Sequence, residues 1–191
     1  AILNSQPMGF YASAQLVRDA RDHGVDVRGV DINHSHWDCT LEEGRKGVFA
    51  LRLGLRQIKG FREVHGAALA AARADGPYAS IHDAWAQSGV PVPTLERLAK
   101  ADGFRSLGHD RRAALWAIRA LGADPLPLFA AADLSEEQAT KNEPEVTLPD
   151  MSIGENVLND YMSLRLSLKA HPLALLRGPL AQRGLVLSKA L

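Results

Sequence analysis

The sequence predicts a mainly α-helical fold with a small β element, built around two helical hairpins in tandem. Three observations carry this prediction. Residues 51–72, LRLGLRQIKGFREVHGAALAAA, set apolar side chains at Leu55, Ile58, Phe61, Leu69 and Ala70 around a turn glycine, Gly60. Residues 94–119 repeat that plan more loosely, with a longer connection and arginines at its mouth. The stretches 25–33 and 48–55 alternate apolar and polar residues as half-buried strands do.

In the first hairpin, Leu55 and Ile58 form the inner face of a short helix, Gly60 and Phe61 make the turn, and Leu69 and Ala70 face back from a second helix. This is the spacing of a helix-hairpin-helix element. Such a turn offers free backbone N–H groups at the N-terminus of its second helix, and these donors, with the positive helix end, suit a phosphate oxygen. Contact of that kind holds a nucleic-acid backbone and reads no sequence. Two positions depart from the usual pattern: Arg62 stands where a second turn glycine is common, and Gly66 where a small packing residue, typically alanine, is common. A non-glycine residue at positive φ is unfavourable. The turn is therefore expected to differ in shape, with Arg62 supplying charge where close backbone approach is lost. The alternative is a hairpin that only packs.

The opening NSQPMGFY reads as a turn with buried aromatic anchors. Ser13 is expected to cap a helix through His23, with Leu16, Val17 and Ala20 inward and Gly24 at its end. VDVRGVDIN, residues 25–33, reads as a strand that pairs with Val48–Leu55, whose Phe49, Leu51 and Leu53 share a face; LEEGRKG connects them. After the hairpin, DGPYAS turns the chain, and Ser80 with Asp83 starts a helix through about Gln87. Thr94 caps the next helix, with Leu95, Leu98 and Ala99 inward, and ADGFRSLGHDRR leads into a helix carrying Ala113, Leu115, Trp116 and Ile118. Residues 124–150, rich in proline, glutamate and alanine, read as a mobile linker in which PLPLF is an apolar patch. Ser152 and Glu155 open a helix by a capping box, with Ile153, Val157, Tyr161 and Leu164 on one stripe. SLKAHPLALLRGPLAQRG is expected to break at each proline, and LVLSKAL to start a strand.

At 191 residues, 46% hydrophobic and 23% charged, the composition is that of a soluble globular protein. The chain has no apolar run of membrane-spanning length and no secretory leader pattern. One cysteine, Cys39, excludes an internal disulfide and suits a reducing cytoplasm. The net charge of zero hides segregation. Arg45, Lys46, Arg52, Arg56, Lys59 and Arg62 follow one another without an acid, and Arg97, Lys100, Arg105, Arg111, Arg112 and Arg119 face Asp102 and Asp110 alone after Glu96. Residues 133–160 are acidic. Two basic runs on two hairpins point to a polyanion.

His34, His36, Asp38 and Cys39 are the one dense group of metal-capable side chains, but no second cluster completes a tetrahedral set. Hydrogen bonding within a loop is the favoured role. There is no nucleophile elbow, P-loop or dinucleotide fingerprint, and no strand-borne acid pair for two-metal phosphoryl transfer. No catalytic or metal-binding residue is assigned.

LNSQPMGFY, QLVRDARDHGVDV, VDINHSHWDC and LRLGLRQIKG, followed by ADGFRSLGHDRRAALWAI and LSLKAHPL, together resemble bacterial C-family DNA polymerases, the DNA polymerase III alpha-subunit family. LSLKAHPLALLR and QPMGFY are closer to its error-prone, damage-inducible branch. The resemblance covers nearly the whole chain. It implies the end of the fingers region over 1–47, a tandem helix-hairpin-helix DNA-binding domain over 48–123, the linker over 124–150, and a helical segment over 151–191 leading to an oligonucleotide-binding fold. The palm, with its catalytic aspartates and Mg2+ ions, would lie upstream, so this segment alone is expected to be inactive and to need no cofactor. The implied partner is duplex or primer-template DNA, in the cytoplasm, held through Arg56, Lys59, Gly60, Phe61, Arg62, Arg105, Gly108, Arg111 and Arg112. A sliding clamp and translesion accessory proteins are further implied partners. Family members carry a clamp-binding Gln-Leu-x-Leu-Phe peptide near here; PLPLF keeps its apolar positions as Leu126, Leu128 and Phe129 but lacks the glutamine, and a linker anchor packing on its own domain is the alternative. A protein-interaction scaffold, packing on polymerase domains, is the competing role for the whole segment.

Overall fold

The computed structural model describes residues 2–6, 9–44, 47–121 and 149–185. Its first helix, α1 (Ser13–Asp22), is capped by Ala12 rather than Ser13; the Ala12 N–H donates to Gln15 Oε1 at 3.1 Å, and Gly24 ends the helix at φ +82°. The aromatic residues before it do not anchor: Phe10 is 91% exposed and Tyr11 61%. Pro7 and Met8 lie outside the described residues.

Three strands follow, β1 (Val27–Arg28), β2 (Thr40–Glu43) and β3 (Phe49–Arg52), in the order β1-β3-β2. β1 runs parallel to β3, with Val27 opposite Leu51, so the expected pairing forms, though over a shorter length. The stretch read as a bare connection supplies β2, antiparallel to β3 with Glu42 opposite Ala50. Its acids looked unsuited to a sheet, but Glu42 accepts from Arg52 at 2.7 and 3.0 Å and from Arg28 at 2.8 Å. Across the face, cross-strand ion pairs replace the apolar pairing that a strand pattern normally shows. Of the expected inner face, Leu53 is fully buried and Leu51 packs on the core, but Phe49 is 63% exposed and Ala50 is buried instead.

A single 3-10 turn (Leu55–Gln57) takes the place of the first hairpin's leading helix, and α2 (Glu63–Ala72) follows the Gly60 turn. Gly66 lies against the Trp37 ring: a Cβ there would stand 3.0 Å from Trp37 Cε3, so alanine would need the ring to give way by a few tenths of an ångström. Ser80 caps α3 (Ile81–Ser88) as expected, accepting from the Asp83 N–H at 3.0 Å. α4 (Val92–Lys100) starts one turn earlier than expected, capped by Pro91, and Thr94 is buried in its first turn with its hydroxyl 2.8 Å from His65 Nδ1. Asp110 caps α5 (Arg111–Arg119). The inner face of α5 is Ala114 and Ile118, and Trp116 is exposed.

The capping box of Ser152 and Glu155 opens α6 (Ile153–Leu164), whose buried stripe is Val157, Asp160 and Leu164, with Ile153 exposed. Prolines do not break the remainder. Pro172 begins α7 (Pro172–Leu175) and Pro179 lies in the first turn of α8 (Arg177–Gln182), where no intrahelical N–H is needed. The linker (except Pro149 and Asp150), its PLPLF patch, Arg45, Lys46 and most of the LVLSKAL segment lie outside the described residues.

One core joins these pieces. Leu53, Leu55, Leu69, Leu95, Leu98, Phe104 and Ile118 pack with Leu3 and Val17 from before the hairpins and Leu164 and Leu166 from after them. The loop over 29–39 staples this core from within. Asp31 is buried and accepts from the Asn33 and Ser106 N–H groups at 2.9 and 3.0 Å; Asn33 pairs its side chain with the Tyr78 backbone; Arg73 donates to the carbonyls of Ile32 and Ser35. No helix among the described residues is long and apolar enough to cross a membrane.

Candidate nucleic-acid interface

The first hairpin is open to a ligand. Gly60, at φ +72°, reverses the chain, and Phe61 is buried beneath it with its N–H donating to Ile58 O at 3.1 Å. The Lys59 N–H donates to Ser163 O at 2.8 Å, which pins the turn onto α6. The N–H groups of Gly60, Arg62, Glu63 and Val64 meet no acceptor among the described residues. Arg62 is the N-cap of α2 at φ −103°, ψ 139°, with no side-chain capping bond. This is extended backbone that arginine adopts freely, so the expected distortion of the turn is absent: the positive angle falls on Gly60 alone. Lys59 and Arg62 are both exposed. Glu63 is the acid of this first turn and opposes them in part.

The second hairpin, α4 to α5, is closed. Gly108 turns the chain at φ +76°, but the Asp110 carboxylate accepts from the Ala113 N–H at 2.7 Å. A carboxylate therefore occupies the helix end that would otherwise attract phosphate. Arg105 is exposed but holds Asp102 with two bonds, at 2.9 and 3.1 Å. Arg112 donates to Pro149 O at 2.8 Å and reaches Glu155 at 3.4 Å. Arg111 requires correction as a candidate contact. It is 2% exposed and donates to Lys100 O, to Asn156 and to the buried Asp160. Asp160 also takes Lys169, which bridges on to Asp102. This ionic chain locks the hairpin to α6 and to the SLKAHP segment, and Arg111 has no face toward solvent. Arg56, in the first hairpin, spends its charge on Asp38.

Of the predicted set, then, the structure brings Lys59, Gly60 and Arg62 together as an open site and commits the other arginines elsewhere. It adds cations that sequence spacing did not single out. Arg97 of α4 lies over the turn, its Nε 3.5 Å from where a Gly60 Cβ would stand. Lys100 and Arg165 line grooves on either side of Lys59. Arg97 and Lys100 belong to a visible basic run, but their approach to Gly60 is a tertiary event.

The histidine-rich loop has other duties. His34 Nδ1 lies 2.8 Å from Asp31 Oδ1, and Cys39 Sγ accepts from the Gly54 N–H at 3.3 Å. Burial pushes the Cys39 thiol above its ordinary pKa, against hydrogen bonds that pull it down. Gly54 is required here by close approach, since a Cβ would stand 2.4 Å from Trp37 O. Among the described residues, no group of three or more His, Cys, Asp or Glu is placed to share a metal ion.

A helix-hairpin-helix motif family matches residues 24–114. The chain is 52% identical, over 96% of its length, to an error-prone DNA polymerase of Mesorhizobium japonicum, and 53% identical over 97% to error-prone DNA polymerase 2 of Rhizobium meliloti. An error-prone DNA polymerase of Sinorhizobium medicae is 49% identical over the full chain. The chain spans 18–19% of the length of these relatives. By sequence the chain is similar to one segment of the error-prone DNA polymerases, and residues 24–114 match a helix-hairpin-helix motif.

Proposed function

We propose that this chain is the part of an error-prone DNA-directed DNA polymerase that holds duplex or primer-template DNA by its phosphates, without reading sequence. The observation that carries this is the first hairpin. Exposed Lys59 and Arg62 flank a turn whose N–H groups at Gly60, Arg62, Glu63 and Val64 have no acceptor among the described residues. Phosphate-positioning contact needs donors and positive charge at a helix end and no groove-reading side chains. Nucleotide joining, with its Mg2+, would belong to other parts of the polymerase, which acts in the cytoplasm on damaged as well as intact template. The 191-residue chain alone is therefore expected to extend no primer. Fluorescence anisotropy with two unrelated duplexes over a salt series tests the reading: equal affinities, falling steeply with salt, support it. Sequence-dependent binding, or none at low salt, would count against it.

A second role has its own observation. Leu41 and Phe49, each more than 60% exposed, share one face of β2 and β3, an apolar surface suited to packing on a neighbouring polymerase domain. Docking of a sliding clamp through Leu126, Leu128 and Phe129, and contacts with translesion accessory proteins, rest on sequence alone. Loss of clamp binding in a Leu128→Ala, Phe129→Ala variant would support the former.

A further inference from the structure

The hairpin turn sits where two grooves meet. One, of about 530 Å3, is lined by the turn, Trp37, the start of α1 and Arg165; the other, of about 280 Å3, by Arg97, Lys100, Leu115 and Met162; Ile58 and Lys59 belong to both. Neither lining contains a carboxylate, although the chain as a whole carries as many acids as bases. Of the five cations along them, Arg56 is paired with Asp38, while Lys59, Arg97, Lys100 and Arg165 have no carboxylate partner among the described residues.

Arg165 is the informative member. It follows α6 in the left-handed conformation, at φ +62°, with its N–H donating to Tyr161 O at 3.1 Å. Helices end in this way most readily on glycine, because a side chain makes the conformation costly. The backbone at 165 thus favours glycine, and the guanidinium makes no hydrogen bond within the described fold. A residue in a costly backbone conformation, whose exposed guanidinium has no hydrogen-bonding or ionic partner in the described fold, is best explained by a contact outside the chain.

We propose that Arg165, on one side of Lys59, and Arg97 with Lys100, on the other, extend the hairpin contact into one continuous track for a DNA backbone. This rests on the DNA-holding reading and deepens it. The track runs from α4 across the Gly60 turn to the end of α6. It uses the second hairpin as a carrier of cations from its first helix, and not through its own turn.

The test is Arg165→Gly in the 191-residue chain, with duplex binding measured across a salt series and melting measured alongside. The expected result is a melting temperature equal to or above the parent's, with weaker binding and a slope of log affinity against log salt shallower by about 0.9. Arg165→Lys should keep the parental slope. Replacing Arg97 and Lys100 together by alanine should flatten it by about 1.8. If Arg165→Gly binds with the parental affinity and slope while Lys59→Ala weakens binding, the track is overturned and the hairpin reading stands. If the parent binds no duplex at low salt, both fall together.

Discussion

Glu42 shows how a single side chain decides the local structure around it. Burial alone would raise its carboxyl pKa, but hydrogen bonds and charge from Arg52 and Arg28 outweigh that and hold it below the ordinary value of 4.5. A carboxyl whose folded pKa is depressed adds stability that is complete above its unfolded pKa. That stability is lost as pH falls through the folded value. Glu42 therefore strengthens the three-stranded sheet at neutral pH, and that contribution starts to fade only as pH drops below the ordinary value of 4.5, disappearing through the lower folded value. Glu42→Gln should cost about 1–2 kcal/mol at pH 7, the range of hydrogen bonds to charged groups discounted for partial exposure. Its urea midpoint should then fall less steeply than the parent's between neutral and acid pH. An unchanged pH dependence would show that the pairs with Arg28 and Arg52 add nothing.

Between elements, the fold relies on contacts that local spacing does not announce. The caps were legible: Ser80, and Ser152 with Glu155, bond as their spacing predicts. So were the turn at Gly60 and the inward leucines of α4, because each depends on residues within a few positions. β2 was not, since Glu42 becomes acceptable in a sheet through arginines from two other strands. Arg111 was not either: it reads as one more surface cation until Asp160, 49 residues away, closes on it. Breaking a buried ion pair leaves a charge stranded, which typically costs about 3–5 kcal/mol. Arg111→Ala should lose roughly the lower figure, since Lys169 still faces Asp160. Urea unfolding measures this. A loss under about 1 kcal/mol would mean that the chain of charges is dispensable to the join between hairpin and α6.

At the scale of the whole molecule, the two hairpins share one core and differ in what they leave exposed. Sequence made them look alike, each with arginines at a glycine turn. The difference arises from the cap and the counter-ions: extended Arg62 leaves the N-terminus of α2 without a side-chain cap, while Asp110 fills that of α5. Arg105 and Arg112 are then held by Asp102 and Glu155. If this asymmetry governs binding, Lys59→Ala with Arg62→Ala should flatten the salt dependence of duplex affinity by about 1.8, two phosphate contacts' worth. Arg105→Ala with Arg112→Ala removes the same formal charge and should leave the slope near the parental value. Arg62→Gly sharpens the comparison. Position 62 lies at φ −103°, so glycine brings no conformational relief there, and the change should act as a charge deletion, weakening binding and flattening the slope by about 0.9. Equal slopes for the two double variants would mean that net charge alone draws the duplex, and the division of labour between the hairpins would have to be given up.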